Sequence, residues 1–302
     1  MQSLTRKLSY VPTTSTQGFL APWTIRDRTF SWGERTYIMG ILNVTPDSFS
    51  DGGQFTTVKR ALEQASNLAA FGTDILDVGG QSTRPGAETI ALEEELQRVV
   101  PVIEAIRQSD HGTLRNLPIS VDTTRVEVAK AAVAAGADMV NDISAGTFEP
   151  AMLSTVAQLG VPIFLMHIRG TPVTMQQLTD YDDLLAEILA FLEQRILAAR
   201  KAGVAPELIA VDPGLGFAKT YDQNLEILRN LDKFRQLGCP LLVGPSRKSF
   251  IGRILQESDP QRRVWGTAAA CCSAIAKGAD ILRVHDGLEM IQVAKVADQI
   301  WR

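Results

Sequence analysis

Polar side chains able to form a site recur at the ends of short apolar runs: Asn43, Asp77, Asp122, Asn141 with Asp142, His167, Asp212, Ser246 with Lys248, and Arg283 with His285. Ser246-Arg247-Lys248 and Arg283-Val284-His285 add two cationic groups, whose planar guanidinium forks and point charge suit phosphate oxygens. A solvated basic patch is the plain alternative. Asp, Asn and Ser also favour the position just before a helix. That role explains Asp77 and Asp142 at least as well as a site does, and competes for Asp122 if a helix starts near Arg125.

Two long glycine-containing loops, 43–53 and 79–86, carry Thr45, Ser48, Phe49, Ser50, Ser82, Thr83 and Arg84. Loops of this kind can close over a substrate and exclude water. In Asp212-Pro213-Gly214-Leu215-Gly216-Phe217, small residues let a ligand approach the backbone, and Phe217 offers a face for a flat ring.

The elements that must position these groups follow from the apolar rhythm. Runs at 37–42, 74–78, 117–121, 138–141, 161–166, 207–211, 240–243 and 280–284 predict eight strands. Helical spacing predicts helices over 57–71, 89–108, 125–135, 150–159, 182–202, 222–234, 248–277 with a break near Pro260, and 287–300. Nearly continuous apolar strands alternating with helices mean a parallel sheet covered on both faces. Eight such units without a GxGxxG loop after the first strand give the α/β class and a single (β/α)8 TIM barrel, not an open doubly wound sheet. All the polar strand ends then face one mouth, with the cationic groups where such barrels bind phosphate. Gly72-Thr73-Asp74, Gly136-Ala137-Asp138 and Gly278-Ala279-Asp280 read as tight turns from helix to strand at the opposite end. Residues 24–32 read as a short N-terminal β-hairpin, so the chain divides into an arm and hairpin over 1–35 and the barrel over 36–302.

A chain of 302 residues, 45% hydrophobic and with a net charge of −4, is a globular domain with no basic excess, which argues against nucleic acid as a partner. Charged, Gly or Pro residues interrupt every apolar run, so no membrane span is expected. Cys239, Cys271 and Cys272 lack metal-site spacing and read as core thiols of a cytoplasmic protein. The first 25 residues contain no Asp or Glu and read as a frayed arm rather than a transit peptide.

The ordered blocks LNVTPDSFSDGG (42–53), GQSTRPGA (80–87), SVDT (120–123), NDISAG (141–146), DPGLGFAK (212–219), SRKSFIG (246–252) and RVHD (283–286) make the chain resemble the dihydropteroate synthase family of pterin-binding TIM barrels over residues 37–290. One departure is Gln81, where the family usually has Glu. The resemblance implies a transferase of folate biosynthesis that condenses (7,8-dihydropterin-6-yl)methyl diphosphate with 4-aminobenzoate, giving 7,8-dihydropteroate and diphosphate with Mg²⁺. It further implies that Asp212, Asn141 and Lys248 hold the pterin, that Asp122 favours a cationic pterin methylene, and that Asn43 contacts Mg²⁺. Thr83, Arg283 and His285, beside Ser246, hold the diphosphate, while loops around Phe49 and Arg84 order the aminobenzoate. The family suggests a homodimer. Two rivals stay open: a corrinoid-dependent methyltransferase on a pterin barrel, and a pterin-binding protein without activity.

Overall fold

The computed structural model describes residues 20–45 and 54–302. The arm over 1–19 and most of the first long loop, with Phe49, lie outside the described residues. Strands β1 (Trp23–Ile25) and β2 (Arg28–Phe30) pair antiparallel as the expected hairpin, turning at Arg26 with φ 56°.

The barrel strands are β3 (Tyr37–Asn43), β4 (Ile75–Gly79), β5 (Ile119–Asp122), β6 (Met139–Asp142), β7 (Ile163–Met166), β8 (Ile209–Asp212), β9 (Leu242–Val243) and β10 (Ile281–Val284). All are parallel, in the order β8-β7-β6-β5-β4-β3-β10-β9. A parallel bridge from Val211 to Leu241, with the Val211 N–H donating to the Pro240 carbonyl at 2.9 Å, closes the ring. Each strand starts and ends within two residues of its apolar run.

The helices between them are α1 (Gln54–Phe71), α2 (Leu92–Arg107), the short α3 (Gly112–Arg115), α4 (Val126–Ala134), α5 (Met152–Leu159), α6 (Leu184–Lys201), α7 (Tyr221–Arg229), α8 (Ser249–Leu255), α9 (Val264–Ala276) and α10 (Gly287–Trp301). The long helix expected over 248–277 is interrupted as Pro260 suggested: Gln256 turns left-handed with φ 53°, and a 3-10 turn over Pro260–Arg263 precedes α9.

Side chains alternate along each strand, so every second residue enters the barrel. The lower inward layer is apolar: Met39, Ile75, Met139, Phe164, Ala210, Leu242 and Ile281 form one buried cluster. The hairpin seals that layer from beneath. Trp23 meets Trp32 edge-on at 4.9 Å and Phe164 at 5.7 Å, so residues before 36 complete the barrel's own core. Burying each large side chain contributes about 1.5–3 kcal/mol, and the plug spares the barrel floor from water.

The Gly-x-Asp turns perform a defined job at this end. Gly72, Gly136 and Gly278 have φ of 98°, 114° and 87°, a region other residues enter at a cost. The aspartate that follows each accepts a backbone N–H from the neighbouring strand segment: Asp74 from Ile38 at 2.8 Å, Asp138 from Ile119 at 2.8 Å and Asp280 from Leu241 at 2.9 Å. The thiols follow expectation in part. Cys239 and Cys271 are buried, but Cys272 faces outward from α9.

Candidate active site

Above the apolar layer, the same alternation delivers polar side chains. Ile41 is followed inward by Asn43, Ile75 by Asp77, Ser120 by Asp122, Met139 by Asn141, Ala210 by Asp212 and Ile281 by Arg283. Asp77 is wholly buried, and Asp122, Asn141 and Asp212 are no more than 6% exposed. The polar strand ends therefore converge on one mouth.

Arg283 organises the centre. Its Nε donates to Asp77 Oδ2 at 2.6 Å and its Nη2 to Asp122 Oδ2 at 2.7 Å, and Asn141 Nδ2 donates to the same Asp77 oxygen at 3.2 Å. Burial pushes Asp122 up to about 7, against the pull of Arg283 and with the help of Asp77. The two carboxylates hold the guanidinium in its charged form.

The wall opposite is built by the 212–219 loop. Asp212 Oδ1 accepts the Gly214 N–H at 2.7 Å, which leaves Oδ2 for a ligand, and burial pushes this carboxyl up to about 6. Gly214 is required here: its φ is 72°, and a Cβ would lie 2.1 Å from the His167 carbonyl oxygen. Lys248 Nζ stands 4.3 Å from the Phe217 ring centroid, and burial lowers its pKa to about 8, assisted by Arg283. Ammonium and ring are in cation–π contact and form one wall of the mouth.

Beside Arg283, Ser246 Oγ accepts the His285 backbone N–H at 3.1 Å and lies 3.0 Å from His285 Nδ1. Burial drives the imidazole down to about 3, so it is neutral. A serine hydroxyl donating to Nδ1 would leave the ring proton on Nε2, free to serve a ligand as a donor. The cluster differs from the expected cationic one in two respects. His285 is neutral, and Arg247, turned by its left-handed φ of 59°, bonds Asp286 through Nε at 3.0 Å instead of the mouth.

Thr83 is half-buried and Arg84 exposed in the loop after β4, where Arg84 lies within electrostatic reach of His285. The loop is pinned at both ends and its tip. Arg98 Nη1 donates to the Gly80 carbonyl at 2.8 Å, Arg125 Nη2 to that of Ile90, and the Gly86 N–H to that of Pro172 at 3.0 Å. Gln81 is half-buried at its start.

Asp122 does not cap α4; Arg125 occupies that position. Asp77 is not a cap either, since α2 begins only at Leu92. That spacing was available in the sequence and would have moved Asp77 into the site. Asp142 is structural: it accepts the Ser144 N–H, the Ser144 hydroxyl and the Gly146 N–H, each at 2.7 Å. His167 also leaves the mouth, with Nδ1 against Lys219 Nζ at 2.9 Å. Lys219 itself, buried and donating to the Phe217 carbonyl at 2.8 Å, fixes the loop and was not singled out by any spacing.

Among the described residues, no three His, Cys, Asp or Glu side chains gather to cage a metal. Asp122 Oδ2 and Asn43 Oδ1 both lie beside Gly79, 3.7 and 3.8 Å from where a Cβ would stand. The first is engaged by Arg283 Nη2, which leaves Asn43 Oδ1 as the hard oxygen donor for Mg²⁺, an ion that keeps several waters and takes few protein ligands.

Comparison with known proteins agrees with this geometry. Residues 39–285 match the family described as pterin binding enzyme. The dihydropteroate synthase of Synechocystis is 58% identical over 94% of this chain and 96% of its own, and that of Bacillus subtilis 46% identical over 89% and 90%. The Clostridium difficile dihydropteroate synthase, crystallised in the presence of pteroic acid, superposes with a TM-score of 0.84 at 42% identity, covering 90% of this chain and 99% of that one. The Xanthomonas albilineans enzyme in complex with 7,8-dihydropteroate gives 0.81 at 41%, covering 93% and 98%. The chain belongs to the dihydropteroate synthase family of pterin-binding enzymes.

Proposed function

We infer that the chain is a dihydropteroate synthase, joining (7,8-dihydropterin-6-yl)methyl diphosphate to 4-aminobenzoate to form 7,8-dihydropteroate and diphosphate. The observation that carries this reading is the convergence of Asp122, Asn141, Asp212, Lys248 and Arg283 on one mouth, in a chain 58% identical to such an enzyme.

Asp212 Oδ2 accepts from the amino-pyrimidine edge of the pterin, Asn141 complements the ring, and Lys248, held over Phe217, donates to its carbonyl side. Arg283, the Nε2–H of His285 and Thr83 serve the diphosphate oxygens, and Ser246 orients the His285 ring that does so. As the methylene C–O bond breaks, its electrons leave with diphosphate and the methylene becomes cationic. Asp122, preorganised by Arg283 in a site of low dielectric, stabilises that charge. The aromatic amine then attacks through its lone pair and loses a proton to solvent. No strong base is required. The loops bearing Phe49 and Arg84 place the aminobenzoate and keep water from the cation. Mg²⁺, held by Asn43 with Asp122 beside it, would neutralise charge on the departing diphosphate.

A homodimer is supported by the outer face of α9 and α10, where Trp265, Val296, Ile300 and Trp301 are 76%, 63%, 64% and 59% exposed. An apolar surface of this kind marks an interface. No helix of the described residues is long and apolar enough to cross a membrane. A cytoplasmic location fits that, together with the unpaired cysteines.

The test is to mix the protein with the pterin diphosphate, Mg²⁺ and 4-aminobenzoate and follow both products by chromatography. Equal formation of dihydropteroate and diphosphate, abolished in Asp122→Ala and Lys248→Ala, is expected. Pterin binding without product would reduce the chain to a binding protein, and no binding by folded protein would overturn the pterin reading.

A further inference from the structure

Asp77 and Asp122 stand apart from the other buried aspartates in what they hold. Asp74, Asp142, Asp212 and Asp280, like the half-buried Asp138, each accept at least one backbone N–H and so serve the chain path. Asp77 is wholly buried, yet its bonds go to two site side chains, Asn141 Nδ2 at 3.2 Å and Arg283 Nε at 2.6 Å. Its Oδ1 has no protein partner, and neither does Ser120 Oγ, its register neighbour on β5. A carboxylate buried at this cost, with no backbone to secure, has its function in the groups it orients.

The orientation it enforces on Asn141 is specific. An asparagine amide can present either a donor or an acceptor edge, and the two are nearly isosteric. A carboxylate accepts only. Facing Asp77, the amide must turn its NH2 inward and its carbonyl oxygen toward the mouth. Asp212 Oδ2 is likewise an acceptor, because its Oδ1 is engaged by Gly214. The mouth thus offers two fixed acceptors to any ring that enters.

We propose that Asp77 is a positioning residue that sets the polarity of the Asn141 amide and thereby selects rings whose edge donates hydrogen bonds. The inference rests on the pterin reading above. A pterin supplies such an edge through its amino group and ring N–H, whereas a ring with acceptors in those places would meet repulsion.

The probe is 6-hydroxymethylpterin, which lacks diphosphate and so keeps contacts of Arg283 with phosphate out of the measurement. Its Kd is measured by calorimetry for wild type, Asp77→Asn, Asn141→Ala and the double variant, with folding checked by circular dichroism. Asp77→Asn should weaken binding about tenfold in the wild-type background, as expected for one misdirected buried hydrogen bond, and no more than about twofold when Asn141 is already Ala. Equal losses in both backgrounds, or none in either, would overturn the proposal. If wild type fails to bind the probe, the pterin reading has failed instead, and Asp77 with it. Should Asp77→Asn not fold, asparagine-selective 15N labelling of wild type decides: the Asn141 amide resonance, assigned with Asn141→Ala, must stay protected from exchange after the pterin binds. Exchange as fast as that of surface amides refutes the locked orientation.

Discussion

Arg283→Met strands two buried carboxylates that the guanidinium now holds at 2.6 and 2.7 Å. Breaking a buried pair by removing one partner costs about 3–5 kcal/mol, because the remaining charge keeps its desolvation penalty. At roughly 2–4 °C per kcal/mol for a domain of this size, Tm should fall by about 10 °C. The deficit depends on pH in a definite direction. Burial already raises Asp122 to about 7 with the arginine present, and removing Arg283 raises it further. A carboxyl raised above its unfolded value of about 4 binds a proton on folding. Its penalty is absent below that value and develops as pH climbs through the folded pKa. Scanning calorimetry of wild type and variant should therefore show a small difference near about pH 5 and the full one near about pH 9. A deficit that is uniform across this range, or no deficit at the alkaline end, would refute the carboxylate clamp as the source of the effect.

Three further outcomes are expected. Lys248 loses its proton as pH rises through about 8, while Asp122 and Asp212 gain one as pH falls through about 7 and about 6, so kcat/KM for the pterin diphosphate should be bell-shaped, and Lys248→Met should remove the alkaline limb along with most of the activity. Gly214→Ala would set a Cβ 2.1 Å from a carbonyl oxygen at φ 72°, so soluble yield and Tm should drop sharply, by an amount equivalent to more than about 3 kcal/mol. Asp138→Ala removes the acceptor of the Ile119 N–H and the partner of Arg107 and Arg26, and should cost about 3 kcal/mol in Tm measurements while leaving the kcat of the folded fraction near wild type.

The barrel was legible because its strands are buried on both faces, which makes each a compact apolar run with a polar terminus. What the runs could not convey was which polar ends point inward and what they touch. Arg247 and Arg283 look alike as cations near strand ends. A left-handed backbone turns the first to Asp286, while strand alternation sends the second between Asp77 and Asp122. His285 looks cationic beside Arg283, but burial keeps it neutral. Lys219 closes the DPGLGFAK block, but a lysine in a loop is ordinarily solvated, and only the fold shows it buried against His167 and the Phe217 carbonyl. Phe49 lies outside the described residues, so the first loop's contribution stays a proposal. The block resemblance, by contrast, named most of the mouth before any geometry was known.

The two ends of the barrel use the same residue type for opposite purposes, and the difference lies in the partner. At the hairpin end, Asp74, Asp138 and Asp280 accept backbone N–H groups, an arrangement that ties one strand to the next and stabilises the ring. At the mouth, Asp77 and Asp122 accept side-chain N–H groups of Arg283 and Asn141. These tie strands together less directly, and they leave buried charge balanced by a single arginine. Such an arrangement is poor at stabilising a fold, because the desolvation penalty offsets much of the Coulombic gain. It is well suited to stabilising a charge that appears only during reaction, because the dipoles and carboxylates need not reorganise when the cation forms. The apolar layer between the ends is what permits this division: it holds the strands in register from below, so the polar layer above can be selected for chemistry at the expense of stability.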